Sequence, residues 1–157
     1  MAMINRRAFL LASGSVLAAR AVAADKVYAV TRTDAEWRQQ LSPAAYQVLR
    51  HADTEAPFSS PLDHLTAAGI YDCAGCDLPL YSSKAKYDSG TGWPSFWQPL
   101  DNAIATSEDT SLGDDRTEVH CSRCGGHLGH VFPDGPRPTG LRYCMNGVAL
   151  AFKPGAA

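Results

Sequence analysis

Five cysteines carry the chemistry that this sequence offers, and their spacing divides them into two pairs and one single residue. The pairs are Cys73 with Cys76 and Cys121 with Cys124, and the single residue is Cys144. Two Cys-x-x-Cys pairs separated by a long segment are typical of the four thiolate ligands of a tetrahedral zinc site. We therefore expect four sulfurs to bind one structural zinc ion and the fifth to be available for chemistry.

Each Cys-x-x-Cys pair can form a turn that directs two sulfurs at one metal ion. Gly125 follows the second pair, and a glycine can adopt the positive φ that leaves backbone amides facing the sulfurs. A thioredoxin-like redox role for one pair is the alternative, but it predicts a βαβ context that the sequence does not contain. The zinc ion would join the strands that contain Tyr71 and Val119, so loss of a ligand should destabilise the fold.

Cys144 lies in the segment Arg142-Tyr143-Cys144-Met145-Asn146. In a strand, Arg142 would share a face with Cys144, and a nearby cation lowers the pKa of a thiol. A buried, inert cysteine is the alternative interpretation. We predict that Cys144 is an activated nucleophile and that Arg142 assists its ionisation.

The elements that position these residues are predicted to be short. The chain has 157 residues, of which 13 are glycine, 10 are proline and only 19% are charged, a composition that favours turns and short strands. Thr33-Asp34-Ala35-Glu36 fits a capping box that begins one helix, and Ser42-Pro43 begins a second helix that extends to His51. Apolar stretches between turns follow. We predict two short helices packed on one compact β domain, from about residue 71 to residue 152.

The overall charge restricts the possible partners. A net charge of −2 gives no indication of binding to nucleic acid or to an anionic membrane surface, and we expect neither partner. No feature of the sequence requires more than a monomer.

Residues 1–24 have the pattern of a targeting segment. Arg6 and Arg7 precede an apolar run of small residues that ends at Ala19, and cleavage near Ala23 or Ala24 fits the small residues there. The run is shorter than the about 20 apolar residues that span a bilayer. The pattern resembles the signal of the twin-arginine export route, and an ordinary Sec signal is the alternative. We expect residues 1–24 to be this signal, residues 25–157 to be the mature domain, and the protein to be periplasmic.

Several longer motifs resemble those of the B-type methionine sulfoxide reductases. They are residues 89–96 (Ser-Gly-Thr-Gly-Trp-Pro-Ser-Phe), the two cysteine pairs, residues 127–136 (His-Leu-Gly-His-Val-Phe-Pro-Asp-Gly-Pro) and residues 142–146. The resemblance extends over about residues 33–153. It implies a mainly β fold, namely a compact zinc-containing domain of two antiparallel sheets, of the Mss4-like or β-tent type, with short N-terminal helices.

The resemblance also implies an activity and roles for individual residues. The activity is thiol-dependent reduction of methionine-R-sulfoxide in proteins or peptides to methionine, with a thioredoxin-like or other thiol as reductant. Cys144 matches the nucleophile, and Trp93 matches the indole that receives the substrate methyl group. The family's polar active-site residues correspond to His127, His130 and Asn146.

The chemistry of a sulfoxide agrees with these roles, because its oxygen must be protonated or strongly hydrogen-bonded as it leaves the sulfur. His127 and His130 can transfer protons near neutral pH. Asn146 can orient the oxygen or a histidine, and Phe132 can extend the apolar wall that Trp93 provides. Attack by Cys144 would release methionine and leave a sulfenic acid.

Thr91 occupies the position at which many members of that family have a resolving cysteine. Because the other four cysteines are assigned to zinc, we expect an external thiol to attack the sulfenic acid of Cys144. Two other functions remain possible on the residues alone. One is a non-catalytic zinc module that binds a protein partner, and the other is a disulfide oxidoreductase with one metal-free cysteine pair.

Overall fold

The computed structural model describes residues 27–111 and 113–157, so the predicted signal at residues 1–24 lies outside the described residues. Two helices come first, α1 (Asp34–Gln40) and α2 (Pro43–His51). The strands of the described residues are then β1 (Gly69–Cys73), β2 (Pro79–Ser82), β3 (Lys86–Tyr87), β4 (Ser95–Phe96), β5 (Ile104–Asp109), β6 (Arg116–Cys121), β7 (His127–Phe132), β8 (Arg142–Met145) and β9 (Leu150–Pro154).

The two helices begin where the sequence predicted. The Thr33 hydroxyl accepts a hydrogen bond from the Glu36 backbone N–H, and the Glu36 carboxylate accepts one from the Thr33 backbone N–H, which completes a capping box. The Ser42 hydroxyl accepts from the Ala45 backbone N–H, with Pro43 in the first turn. None of the helices in the described part of the chain is long and apolar enough to cross a membrane.

The strands form two antiparallel sheets, as predicted. The smaller sheet has the order β2-β1-β9, and the larger has the order β3-β4-β8-β7-β6-β5. Tyr71 and Tyr81 of the smaller sheet pack on Phe96 of the larger sheet, with ring centroids 5.0 and 4.3 Å apart. All three side chains are completely buried, so this aromatic contact forms the centre of the core between the sheets.

An irregularity in β7 decides which of its side chains face the same way. Val119 pairs with Gly129 while His120 pairs with His127, so β7 contains one more residue than β6 over this stretch. An extra residue reverses the alternation of side chains beyond it. His127 and His130 therefore lie on the same side, with ring centroids 5.4 Å apart, although residues three apart in a regular strand face opposite sides.

Candidate active site

Cys144 lies inside the larger sheet, between two strands that contribute polar side chains. On β8 it pairs with Ser95 of β4 on one side and with His130 of β7 on the other. Its Sγ is 3.7 Å from the Thr91 hydroxyl oxygen. Gly129 of β7 approaches so closely that a Cβ there would be 2.1 Å from the Cys144 carbonyl oxygen, so a side chain at this position would push the two strands apart.

The electrostatic surroundings of Cys144 differ from the prediction. Burial raises the pKa of the thiol, and hydrogen bonding to Thr91 and the positive charge of Arg142 lower it only in part. Arg142 thus acts in the expected direction, but desolvation has the larger effect. The free thiol is therefore less ionised at neutral pH than the sequence predicted.

A pocket of about 140 Å³ opens beside Cys144. Five of its lining residues were candidates from the sequence, namely Trp93, His130, Phe132, Cys144 and Asn146. The sequence did not indicate the other three, which are Thr54, Arg116 and Gly129. Apolar rings, a thiol and an imidazole thus meet in one small cavity.

The Trp93 indole is held by the loop after α2. Its Nε1–H donates to the Glu55 backbone carbonyl at 3.1 Å. The Phe58 backbone N–H donates to the Gly92 carbonyl at 2.7 Å, and a Cβ on Gly92 would lie 2.8 Å from the Phe58 nitrogen. Gly92 has a φ of 91°, so both the backbone conformation and this close approach require glycine.

The Asn146 side chain is buried, and both of its amide atoms have backbone partners. Its Oδ1 accepts from the Glu55 N–H at 2.9 Å, and its Nδ2 donates to the Leu128 carbonyl at 3.1 Å. The Glu55 carboxylate in turn accepts from the N–H groups of Gly147 and Val148. Asn146 therefore lines the pocket as part of a network that joins the loop after α2 to β7, a role that the sequence did not indicate.

The two histidines have different places in the site. His130 lines the pocket with Cys144, and its Nε2 is 2.7 Å from Asp109 Oδ2. His127 lines only the neighbouring cavity of about 390 Å³, which also contains His130. Its Nδ1 is 2.8 Å from Glu118 Oε1, and burial lowers its pKa, so the neutral imidazole is favoured.

Two acidic residues, Asp109 and Glu118, hold the histidines, and neither was singled out from the sequence. Asp109 also pairs with Arg116 at 2.6 Å. All three side chains lie on the neighbouring strands β5 and β6. Only the alternation of charged residues on these strands could have indicated them, and that pattern does not distinguish such residues from a solvated face.

Arg142 is held beside the pocket rather than in its lining. Its guanidinium makes two hydrogen bonds of 2.9 Å to the Asp134 carboxylate. It also lies 4.4 Å from the centroid of the Phe132 ring, which lines the pocket. Arg142 thus fixes Phe132 and adds positive charge near Cys144.

The four remaining cysteines form one cluster that joins the two sheets. Cys73 ends β1 and Cys121 ends β6, and all four sulfurs lie within 4.8 Å of one another. Cys73 and Cys124 are 3.7 Å apart, and Cys76 and Cys121 are 3.5 Å apart. Bonds of about 2.3 Å from four sulfurs to a tetrahedral zinc ion give sulfur-to-sulfur distances of about 3.8 Å. The cysteines are free thiols, so the cluster fits one metal ion.

Comparison with known proteins identifies the family. The SelR domain profile matches residues 41–154. The chain is 52% identical over 126 residues to the peptide methionine sulfoxide reductase MsrB of Agrobacterium fabrum, over 80% of this chain and 93% of that protein. It is 56% identical over 126 residues to MsrB of Pseudomonas entomophila, over 80% of this chain and 96% of the relative. It is 57% identical over 122 residues to MsrB of Thioalkalivibrio sulfidiphilus, over 77% and 89% of the two chains. The chain therefore belongs to the MsrB family of SelR-domain proteins.

Proposed function

We propose that this chain is a peptide-methionine (R)-S-oxide reductase in which Cys144 is the nucleophile and an external thiol is the reductant. Membership of the MsrB family supports the reductase activity. The observation that carries the assignment of residues is the pocket in which Cys144 faces Trp93, Phe132 and His130. The two apolar rings suit the methyl group of the substrate, and the imidazole suits its oxygen.

The first reaction step moves the sulfoxide oxygen to the enzyme. The Cys144 thiolate attacks the substrate sulfur while the oxygen takes up a proton from the His130 imidazole on the pocket wall. The bond between the oxygen and the substrate sulfur then breaks, the hydroxyl oxygen bonds to Cys144 Sγ, and the bond between Sγ and the substrate sulfur breaks, which releases methionine and leaves Cys144 as a sulfenic acid. The substrate sulfur gains two electrons, and Cys144 loses two.

The second step returns Cys144 to the thiol. Thr91 is the residue next to Sγ at 3.7 Å, and a hydroxyl cannot form a disulfide. The four other cysteines of the chain share one cluster, so each would have to leave a metal ion in order to react. A thioredoxin-like or smaller thiol therefore attacks the sulfenic sulfur and releases water, and a further thiol breaks the resulting mixed disulfide.

The metal ion in this proposal is zinc, held by Cys73, Cys76, Cys121 and Cys124. An all-thiolate set with tetrahedral spacing suits zinc, and zinc has no redox chemistry of its own. Its role is to join the ends of β1 and β6, at a site that Cys144 does not share.

Export to the periplasm by the twin-arginine route belongs to the same proposal, because this route carries folded proteins and allows metal binding before export. Arg6 and Arg7 support it, together with the apolar run behind them. Replacement of both arginines by lysine should retain the protein in the cytoplasm in a cell fractionation. Continued export would favour the Sec route.

The test of the proposed activity is turnover of the two sulfoxide epimers of a methionine peptide, with dithiothreitol or a thioredoxin system as reductant. The wild-type chain should reduce the R epimer. Cys144→Ser should lose this activity while it keeps its metal ion and its fold. Activity of Cys144→Ser would overturn the assignment of the nucleophile, and inactivity of the wild type on both epimers would favour a zinc module that binds a protein partner.

A further inference from the structure

Three hydroxyl groups form a continuous chain that begins at the sulfur of Cys144. The Thr91 oxygen is 3.7 Å from Cys144 Sγ, and the Ser89 oxygen is 2.8 Å from the Thr91 oxygen. The Ser95 oxygen is 2.7 Å from the Ser89 oxygen and 3.0 Å from the Trp93 carbonyl oxygen. Ser95 is completely buried, whereas Ser89 is half-buried.

Donation from Ser95 to the carbonyl at the end of this chain gives the hydrogen bonds one consistent direction while Cys144 is a thiol. A carbonyl only accepts, so the single hydroxyl proton of Ser95 points to Trp93. Ser95 must then accept from Ser89, and Ser89 must accept from Thr91. The proton of Thr91 is thereby directed at Ser89, so the Thr91 oxygen presents a lone pair to the thiol of Cys144.

The charged groups around Cys144 have other partners, although Arg142 also interacts with the Cys144 sulfur. Arg142 makes its two hydrogen bonds to Asp134, and His130 is bound through Nε2 to Asp109. Tyr87 of β3 pairs with Ser95 of β4 and is half-buried. Burial raises the pKa of its phenol, which is therefore neutral at pH 7. Two neutral hydroxyls act on the Cys144 sulfur, those of Thr91 and Ser95, and hydrogen bonding to Thr91 lowers the pKa of Cys144 more. Thr91 is therefore the better placed of the two to exchange a proton with the sulfur.

We propose that Thr91 and Ser89, oriented by Ser95, form a proton path that removes the thiol proton of Cys144 to solvent and then stabilises the anionic sulfur. The Sγ–H bond breaks as its proton moves to the Thr91 oxygen, and the proton of Thr91 moves to Ser89. Ser89 releases one proton to water, so every hydroxyl keeps one proton. Thr91 then donates to the thiolate. Cys144 acts here as the proposed nucleophile, on which this role of the hydroxyls rests.

In this scheme Thr91 contacts the reacting sulfur, Ser89 passes the proton on, and Ser95 is a positioning residue. Ser95 sets the direction of the chain through the Trp93 carbonyl, and Ser89 joins the buried part to solvent. Thr91 would therefore have a function in ionising Cys144, although it cannot act as a resolving cysteine. A hydroxyl assists ionisation of Cys144 in a surrounding that otherwise disfavours the charged form.

The experiment measures how fast iodoacetamide alkylates Cys144 at different pH values, by peptide mass spectrometry on the metal-loaded mature chain. Only the thiolate reacts, so the rate at neutral pH reports the ionised fraction without any sulfoxide. Thr91→Val should slow alkylation about tenfold at pH 7 and move the midpoint upward by about one pH unit, as expected for loss of a hydrogen bond to a charged group. Thr91→Ser keeps the hydroxyl and should restore the wild-type profile.

Ser89→Ala tests whether the linked hydroxyls act together or Thr91 acts alone, because Ser89 does not touch the sulfur. The midpoint is an equilibrium quantity, so it should move upward in this variant because Ser89 no longer donates to the Thr91 oxygen once Thr91 donates to the thiolate. The variant Thr139→Val should leave the midpoint unchanged. The Thr139 hydroxyl donates to the Trp97 backbone carbonyl and makes no hydrogen bond to the three linked hydroxyls, so it is a control for the loss of a threonine hydroxyl. An unchanged profile in Thr91→Val, or a wild-type profile in Ser89→Ala, would overturn the proposal.

Two controls distinguish a failed hydroxyl path from misfolding of a variant and from failure of the proposed reductase activity. Ser89 is half-buried, so Ser89→Ala should fold even if a variant at the buried Ser95 does not, and metal content and near-UV circular dichroism check the fold. Alkylation is independent of turnover. A failed hydroxyl path would therefore leave the sulfoxide assay of Cys144→Ser intact, and failure of that assay would not alter the alkylation profiles.

Discussion

Glu55 and Trp93 are joined by a hydrogen bond of 3.1 Å, from the indole N–H to the Glu55 backbone carbonyl. Glu55 also donates its N–H to Asn146, 91 positions later in the chain, and its carboxylate accepts from Gly147 and Val148 at 2.6 and 3.0 Å. One loop residue thus fixes two walls of the pocket beside Cys144. The pocket geometry depends on a residue that does not line it.

Glu55→Gln should weaken both the fold and the binding of substrate. Glutamine has the same shape, but its NH₂ group would face one of the two backbone N–H donors, and a half-buried donor would lose its partner at a cost of about 1–3 kcal/mol in the free energy of unfolding. Displacement of Trp93 should raise KM. Urea unfolding and steady-state kinetics measure both effects, with Asp101→Asn in an exposed turn as the control. Equal stability and equal KM in the two variants would contradict this role of Glu55.

Thr91→Cys should change how the enzyme is recycled. The Thr91 oxygen is 3.7 Å from Cys144 Sγ, so a small rotation can bring the introduced sulfur to the about 2.05 Å of a disulfide. One equivalent of sulfoxide without added thiol should then give a disulfide between the introduced cysteine and Cys144. Peptide mapping without reduction detects it, and Thr91→Ser, which should stop at the sulfenic acid, is the control. A disulfide from Cys144 to a cluster cysteine in the wild type would refute recycling by an external thiol.

Cys121→Ser should lose the metal ion and much of the stability. The four sulfurs join the ends of β1 and β6, so loss of one ligand disconnects the two sheets. We expect the melting temperature to fall by more than about 10 °C, because each kcal/mol corresponds to roughly 4 °C for a domain of this size and the loss of a structural metal costs several kcal/mol. Elemental analysis and calorimetry measure both effects. Cys144→Ser, which lies outside the cluster, should retain one zinc ion per chain.

The stability of the fold should decrease as the pH falls from 7 to 5. Burial lowers the pKa of His127 in the folded state, so the unfolded chain takes up a proton below about pH 6.5 that the folded chain does not. The pKa of Glu118 is also lowered, by hydrogen bonds to Ser107 and His127 that outweigh its desolvation, and its contribution is lost at still lower pH. Both shifts therefore favour unfolding in acid.

His127→Asn isolates the part that the imidazole contributes. The asparagine amide can still donate to Glu118, but it does not titrate. The melting temperature of the His127→Asn variant, measured by calorimetry, should vary less between pH 7 and pH 6 than that of the wild type. An identical slope in the two proteins would show that His127 does not cause the loss of stability.

Local signals in the sequence determined the helices and the cysteine pairs. The hydroxyl of Thr33 and the Ser42-Pro43 step act within one helical turn, so their effect does not depend on the rest of the fold. The two residues inside each Cys-x-x-Cys turn likewise place two sulfurs together without help from distant parts of the chain.

The tertiary structure alone decided how these pieces meet. The extra residue in β7 places His127 and His130 on one side, and it is visible only from the pairing with β6. The burial that raises the pKa of Cys144 arises from the strands and loops packed around it. Glu55 reaches Trp93 and Asn146 only because the loop after α2 folds onto the sheet. Side-chain direction, desolvation and long-range hydrogen bonds depend on packing between distant segments, and a short sequence pattern contains no information about such packing.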